Sequence, residues 1–152
     1  MHSPPLEITD EQRATISGYL DRIPFNHLLG LQVQELSAEK VSMLMPMKNE
    51  LIGNYIHSIL HGGAIATVLD VVGGAMAMIG ALGRNQHLPM AERMSKLSRL
   101  GTIDLRVDYL RPGRGESFTA TAVLLRSGNK VAVVRAQLHA NDGTRLGVGT
   151  GT

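Results

Sequence analysis

Near the middle of the chain, Leu60-His61-Gly62-Gly63 opens a long apolar stretch that carries a single carboxylate, Asp70. If a helix begins at the two glycines, its first amides lack internal partners and lie at the positive end of the helix dipole. Glycine has no side chain to hold an oxygen away, so Gly62 and Gly63 offer a seat for a developing oxyanion. A glycine pair also serves close helix packing, so the pair alone settles nothing. His61 stands at the helix entrance, where it can either cap the helix or transfer a proton. Asp70 is costly in apolar surroundings unless it is paired or functional. A structural pairing with an arginine is the alternative to a chemical role.

Spacing limits how these groups can cooperate. Gly63 and Asp70 are two helical turns apart, so they share a face but lie about 10 Å apart along the axis. One reacting carbon cannot be about 3 Å from both. Two such helices packed antiparallel about a two-fold axis would bring each Asp70 to the other's N-terminus. The spacing therefore predicts a site shared between two subunits.

The elements that must position these residues follow from the pattern around them. Thr9-Asp10-Glu11-Gln12 carries the signature of a capped helix start, and the helix is expected to run to about Leu20. A short turn is expected over 25–29. Residues 31–36 and 41–46 alternate partially and read as a hairpin, followed by a polar loop over 47–60. From Gly62 to about Leu82 the chain is apolar nearly all round, the mark of a helix wrapped by the rest of the protein, with Gly83 as its stop. Residues 84–100 read as an irregular loop or a short helix. Strands are expected over 102–110, 116–126, 130–140 and 145–150, with Ser127-Gly128-Asn129 as a tight hairpin turn. The class is α+β: one long helix wrapped by a curved antiparallel sheet of five or six strands, with an N-terminal helix. Residues 1–24 form the N-terminal segment and 25–152 the domain. Open sheet edges call for oligomerisation, and the expected assembly is a homodimer built up into a homotetramer.

Composition narrows the function. Apolar residues make up 43% of the 152, but only 3% are aromatic and none is Trp, so the core is expected to be aliphatic. The 17 glycines imply segments that run close to other backbone. The formal net charge is +2, with no cationic run, and stacking platforms are lacking, which argues against nucleic acid. There is no Cys, so thiolate chemistry and disulfides are out, and a reducing, cytoplasmic setting fits. The N-terminus lacks the pattern of a signal peptide. The 62–83 stretch has the length and apolarity of a membrane span, but Asp70 and six glycines within it favour a buried helix. The methionines at 43, 45, 76 and 78 read as core filler. His57 and His61 are four apart, yet no HExxH pattern or nearby carboxylate completes a metal site, and none is expected. Neither GxSxG nor GxGxxG occurs.

Taken together, Gly53-Asn54, Leu60-His61-Gly62-Gly63, Asp70 and the run from Asp104 to Gly113 (DLRVDYLRPG) resemble the hotdog-fold acyl-CoA thioesterases. The nearest branch is the one that includes the phenylacetate-pathway thioesterase. The resemblance spans about residues 25–152. It implies that the Gly62 amide, with Gly63 adjacent, polarises a thioester carbonyl. It implies that Asp70 of the other subunit acts on water as general base, or as nucleophile. An Asn before the His-Gly-Gly run positions the water; Asn54 is the best match, one residue further from His61 than the family pattern. Thr102 matches a hydroxyl position in the family. Thr67, Arg111, Pro112, Arg126, Ser127 and Gly128 fall where the family holds substrate and the CoA nucleotide. The reaction implied is acyl-CoA plus water giving acid plus CoA, with no cofactor beyond the CoA of the substrate. Aliphatic lining favours medium to long chains, with an aryl group as a lesser option. The 84–100 insert departs from the family pattern. The rival readings are a non-catalytic hotdog protein that binds acyl-CoA or acyl-carrier protein, and a hotdog dehydratase. The buried Asp70 argues against the first, and the spacing of His61 against the second.

Overall fold

The structure, a computed structural model, describes residues 7–152. Helix α1 (Asp10–Asp21) starts in a capping box: the Thr9 hydroxyl accepts the Gln12 N–H at 3.1 Å, and the Gln12 side chain accepts the Thr9 N–H at 3.0 Å. It buries Ile16 and Leu20 and packs on the central helix. A short α2 (Pro24–Leu29) follows, ended by Gly30 at φ 70°, a conformation glycine adopts without strain. The hairpin β1 (Gln32–Leu36) and β2 (Val41–Pro46) forms as the alternation predicts, with Leu36 opposite Val41.

The 47–60 segment differs from expectation. It holds a 3₁₀ turn at Asn49–Leu51 and a small ribbon of β3 (Ile52–Asn54) and β4 (Ile59–Leu60). These strands are too short to show alternation. Backbone bonds reaching outside the segment fix them: Leu60 N–H to Gly113 C=O at 2.9 Å and His61 N–H to Leu51 C=O at 2.7 Å.

The central helix α3 (Gly62–Arg84) then begins where the glycines predict. It does not stop at Gly83. The Arg84 guanidinium donates to the Ser127 carbonyl at 2.8 Å and to the Asn129 side chain at 2.6 Å, and this tertiary anchor carries the helix past the glycine to a cap at Asn85. The insert contains α4 (Met90–Leu97), which packs on α3. Strands β5 (Leu105–Tyr109), β6 (Ser117–Ser127), β7 (Ala132–Ala140) and β8 (Arg145–Gly151) complete a six-stranded antiparallel sheet of order β1-β2-β6-β7-β8-β5. In the turn after β7, Asp142 accepts the Thr144 N–H at 2.9 Å, which holds its carboxyl below the usual range.

The sheet wraps α3. Val68, Leu69, Val72, Met76 and Ile79 of the helix are at most 1% exposed, and each contributes about 2 kcal/mol by leaving water. They meet Met43 and Met45 of β2, Ala120 and Ala122 of β6, and Ala136 and Leu138 of β7. The core is aliphatic apart from the buried Phe118. The expected close approaches appear here: a Cβ on Gly147 of β8 would lie 3.3 Å from Ile65, and one on Gly73 would lie 3.0 Å from Val134. Although α3 is long and apolar enough to cross a membrane, 67% of its apolar window is buried within the domain, which makes it the core helix.

Candidate active site

The entrance of α3 is built from three directions. His61 is the N-cap, and its Nδ1 accepts the Gly63 N–H at 2.7 Å. The cap therefore occupies Nδ1 of the ring. The bond also separates the two glycines. Gly63 N–H is occupied by the ring, and a Cβ there would lie 2.8 Å from Nδ1. Ala64 and Ile65 N–H both go to the His61 carbonyl. Among the described residues, the Gly62 N–H is the first-turn amide left without an acceptor. Behind His61 sits Gly53 of β3, where a Cβ would be 2.7 Å from the His61 Cα. In front, the Tyr109 hydroxyl donates to the Gly62 carbonyl at 3.2 Å. Sequence reasoning gave roles to neither Tyr109 nor Gly53; both lay within the motif runs, but only the folded contacts show their purpose.

Asp70 lies two turns on. Rather than being sealed in the core, it is half-buried on the wall of a cavity of about 580 Å³. Its Oδ1 accepts the Thr102 hydroxyl at 2.7 Å. Thr102 precedes the paired part of β5, so its side chain is free to reach the carboxylate. Asp70 is therefore not the partner of an arginine; among the described residues its side-chain bond is to Thr102.

The other expected site residues divide between the two ends. Arg111, Pro112 and Gly62 line a shallow cavity of about 330 Å³ with Tyr109 and Leu110. Ser127 and Gly128 line the Asp70 cavity, while Arg126 is exposed on β6 and does not. Thr67 sits between the ends, its hydroxyl donated to the Gly63 carbonyl at 2.8 Å. Asn54 falls on the His61 side, where its Oδ1 accepts the Ile56 and His57 N–H groups at 3.2 and 3.3 Å and shapes the β3–β4 turn. One chain thus carries an amide donor at one end and a held carboxylate at the other, in separate cavities. Its geometry can stabilise an oxyanion and accept a proton, but not on the same carbon.

A long helix wrapped by a six-stranded antiparallel sheet is the fold that this chain shares with solved thioesterase-superfamily proteins, and the superfamily's sequence pattern matches residues 57–146. The chain belongs to that superfamily, a thioester hydrolase by class. It is 44% identical over 147 residues to the medium/long-chain acyl-CoA thioesterase YigI of Escherichia coli K12, covering 95% of each chain. The crystal structure of a Shewanella oneidensis protein related to the thioesterase superfamily superposes with a TM-score of 0.89, at 46% identity and 93% coverage of both chains. The PaaI protein of the E. coli phenylacetic acid degradation operon shares the fold, with a TM-score of 0.69 at 16% identity over 93% of this chain and 88% of that one.

Proposed function

We propose that this protein is a cytoplasmic acyl-CoA thioesterase acting on medium to long acyl chains, with each active site assembled from two subunits. The observation that carries the reading is Asp70 held at 2.7 Å by Thr102 on the wall of a large cavity. A carboxylate fixed through Oδ1 keeps Oδ2 free to take a proton from water. The resulting hydroxide attacks the thioester carbon, the carbonyl oxygen becomes an oxyanion, and the Gly62 N–H of the partner chain stabilises it. Collapse expels the CoA thiolate, which gains a proton, and leaves the free acid. Asn54 offers its side-chain amide to the water from the His61 side.

Strand β5 supplies the means of sharing. It is one of the two edge strands of the sheet, and the segment from Thr102, bonded to Asp70, through β5 to Tyr109, bonded to Gly62, spans both half-sites. Antiparallel pairing of two β5 edges, with the two-fold axis near Arg106, puts the Asp70 end of one chain beside the Gly62 end of the other. That pairing also satisfies the edge's free backbone groups.

The test is thiol release from acyl-CoAs of graded length by the wild type and by Asp70→Asn. The wild type should hydrolyse them, and the variant should lose about a hundredfold or more in kcat while keeping its fold. Full activity in the variant refutes the role of Asp70. No release with any chain length refutes hydrolysis and favours an acyl-CoA-binding protein.

A further inference from the structure

The cavity that holds Asp70 continues along α3 well past the carboxylate, and its floor is made of small residues: Gly74, Ala77 and Ala81. A Cβ built on Gly74 meets nothing within 4 Å, so the space above the helix there is open. Leu105, Val134 and Ala136 of the sheet form the facing wall. The third side comes from the insert, where Leu97 of α4 is buried and Lys96, Arg99 and Leu100 border the cavity. Lys96 and Arg99 are exposed, so their charged ends reach water while their alkyl stems cover the groove.

Polar groups gather at the two ends of this groove, at Asp70 and Thr102 and at Ser127 to Lys130. Between them, the α3 face and the sheet wall present aliphatic side chains and glycine, while Asn85, Lys96 and Arg99 add polar groups to the rim. A pantetheine arm, with two amides, would find no side-chain partners on the α3 floor or the sheet wall. An alkyl chain needs none.

We infer that this groove takes the acyl chain, and that Ala77 and Ala81 set how long a chain it accepts, with the 84–100 insert as its outer wall. The inference rests on the thioesterase reading above and extends it to specificity. Measured from Asp70, Gly74 lies about 6 Å along the axis, Ala77 about 10 Å and Ala81 about 16 Å. At roughly 1.3 Å per methylene, Ala77 lies beside about the eighth carbon of an extended chain and Ala81 beside about the thirteenth.

The experiment compares Ala77→Leu and Ala81→Leu with the wild type on hexanoyl-, dodecanoyl- and hexadecanoyl-CoA. Both residues line the groove and are partly buried against the core, so circular dichroism checks the fold. Ala77→Leu should lose about tenfold or more in kcat/KM on dodecanoyl- and hexadecanoyl-CoA, with hexanoyl-CoA nearly unchanged. Ala81→Leu should lose activity on hexadecanoyl-CoA alone. If both variants keep the wild-type ratio across the three substrates, the groove does not hold the chain. Calorimetric binding of the corresponding non-hydrolysable thioethers separates this from failure of the hydrolase reading. A wild type that releases no thiol refutes hydrolysis, whereas the groove stands or falls on whether the variants weaken the long thioethers selectively.

Discussion

His61 accepts a hydrogen bond at Nδ1, so the neutral ring carries its proton on Nε2. The residue then works as a cap that also leaves the Gly62 amide as the free donor. His61→Ala should cost about 1 kcal/mol of stability, read as a lowered Tm, together with activity. His61→Asn, with an oxygen of suitable reach, should restore much of both; proton transfer by the ring would make the two variants equally inactive. In the proposed site, Thr102 positions Asp70, to which its hydroxyl donates. Thr102→Val should lower kcat about tenfold with little change in KM, and Thr102→Ser should retain most of the rate. Full activity in Thr102→Val with a loss in Thr102→Ser would show that the methyl, not the hydroxyl, is what matters.

Elements were legible in the sequence where a local rule governs them. The Thr9 cap, the hairpins and the start of α3 follow from capping, alternation and glycine placement, and all formed where expected. The β3–β4 ribbon and the continuation of α3 through Gly83 depend on partners distant in the chain, Gly113 for one and Ser127 with Asn129 for the other. No local pattern encodes those contacts. The same divide runs through the site: His61, Gly62 and Asp70 stand out by spacing, whereas Tyr109 and Gly53 gain meaning only once β5 and β3 are set against the helix. Two variants test the packing. Gly74→Ala, which points into open space on a helix, should raise stability by about 0.5–1 kcal/mol in chemical denaturation. Gly53→Ala, which collides with the His61 backbone at 2.7 Å, should lower it by about 1–3 kcal/mol. A neutral Gly53→Ala would mean that β3 can withdraw without disturbing the cap.

For the whole molecule, the proposed two-chain site makes assembly part of the chemistry, because the Gly62 amide and Asp70 lie in separate cavities of one chain. Light scattering should find no active species at the 16.4 kDa of one chain, only multiples of it. The shared site itself can be tested by mixing two crippled proteins. Gly62 is the first helical residue, a position where proline is well accommodated, and His61 has the extended backbone that a following proline requires, at φ −63° and ψ 134°. Gly62→Pro therefore deletes the amide donor while leaving the helix in place, and it should be nearly inactive, as should Asp70→Asn. In a hybrid dimer, one site carries both lesions and the other carries neither. Unfolding and refolding the two variants together should restore about a quarter of wild-type activity, since half of randomly paired dimers hold one intact site. Activity no greater than that of the two variants refolded separately would contradict a site built from two chains.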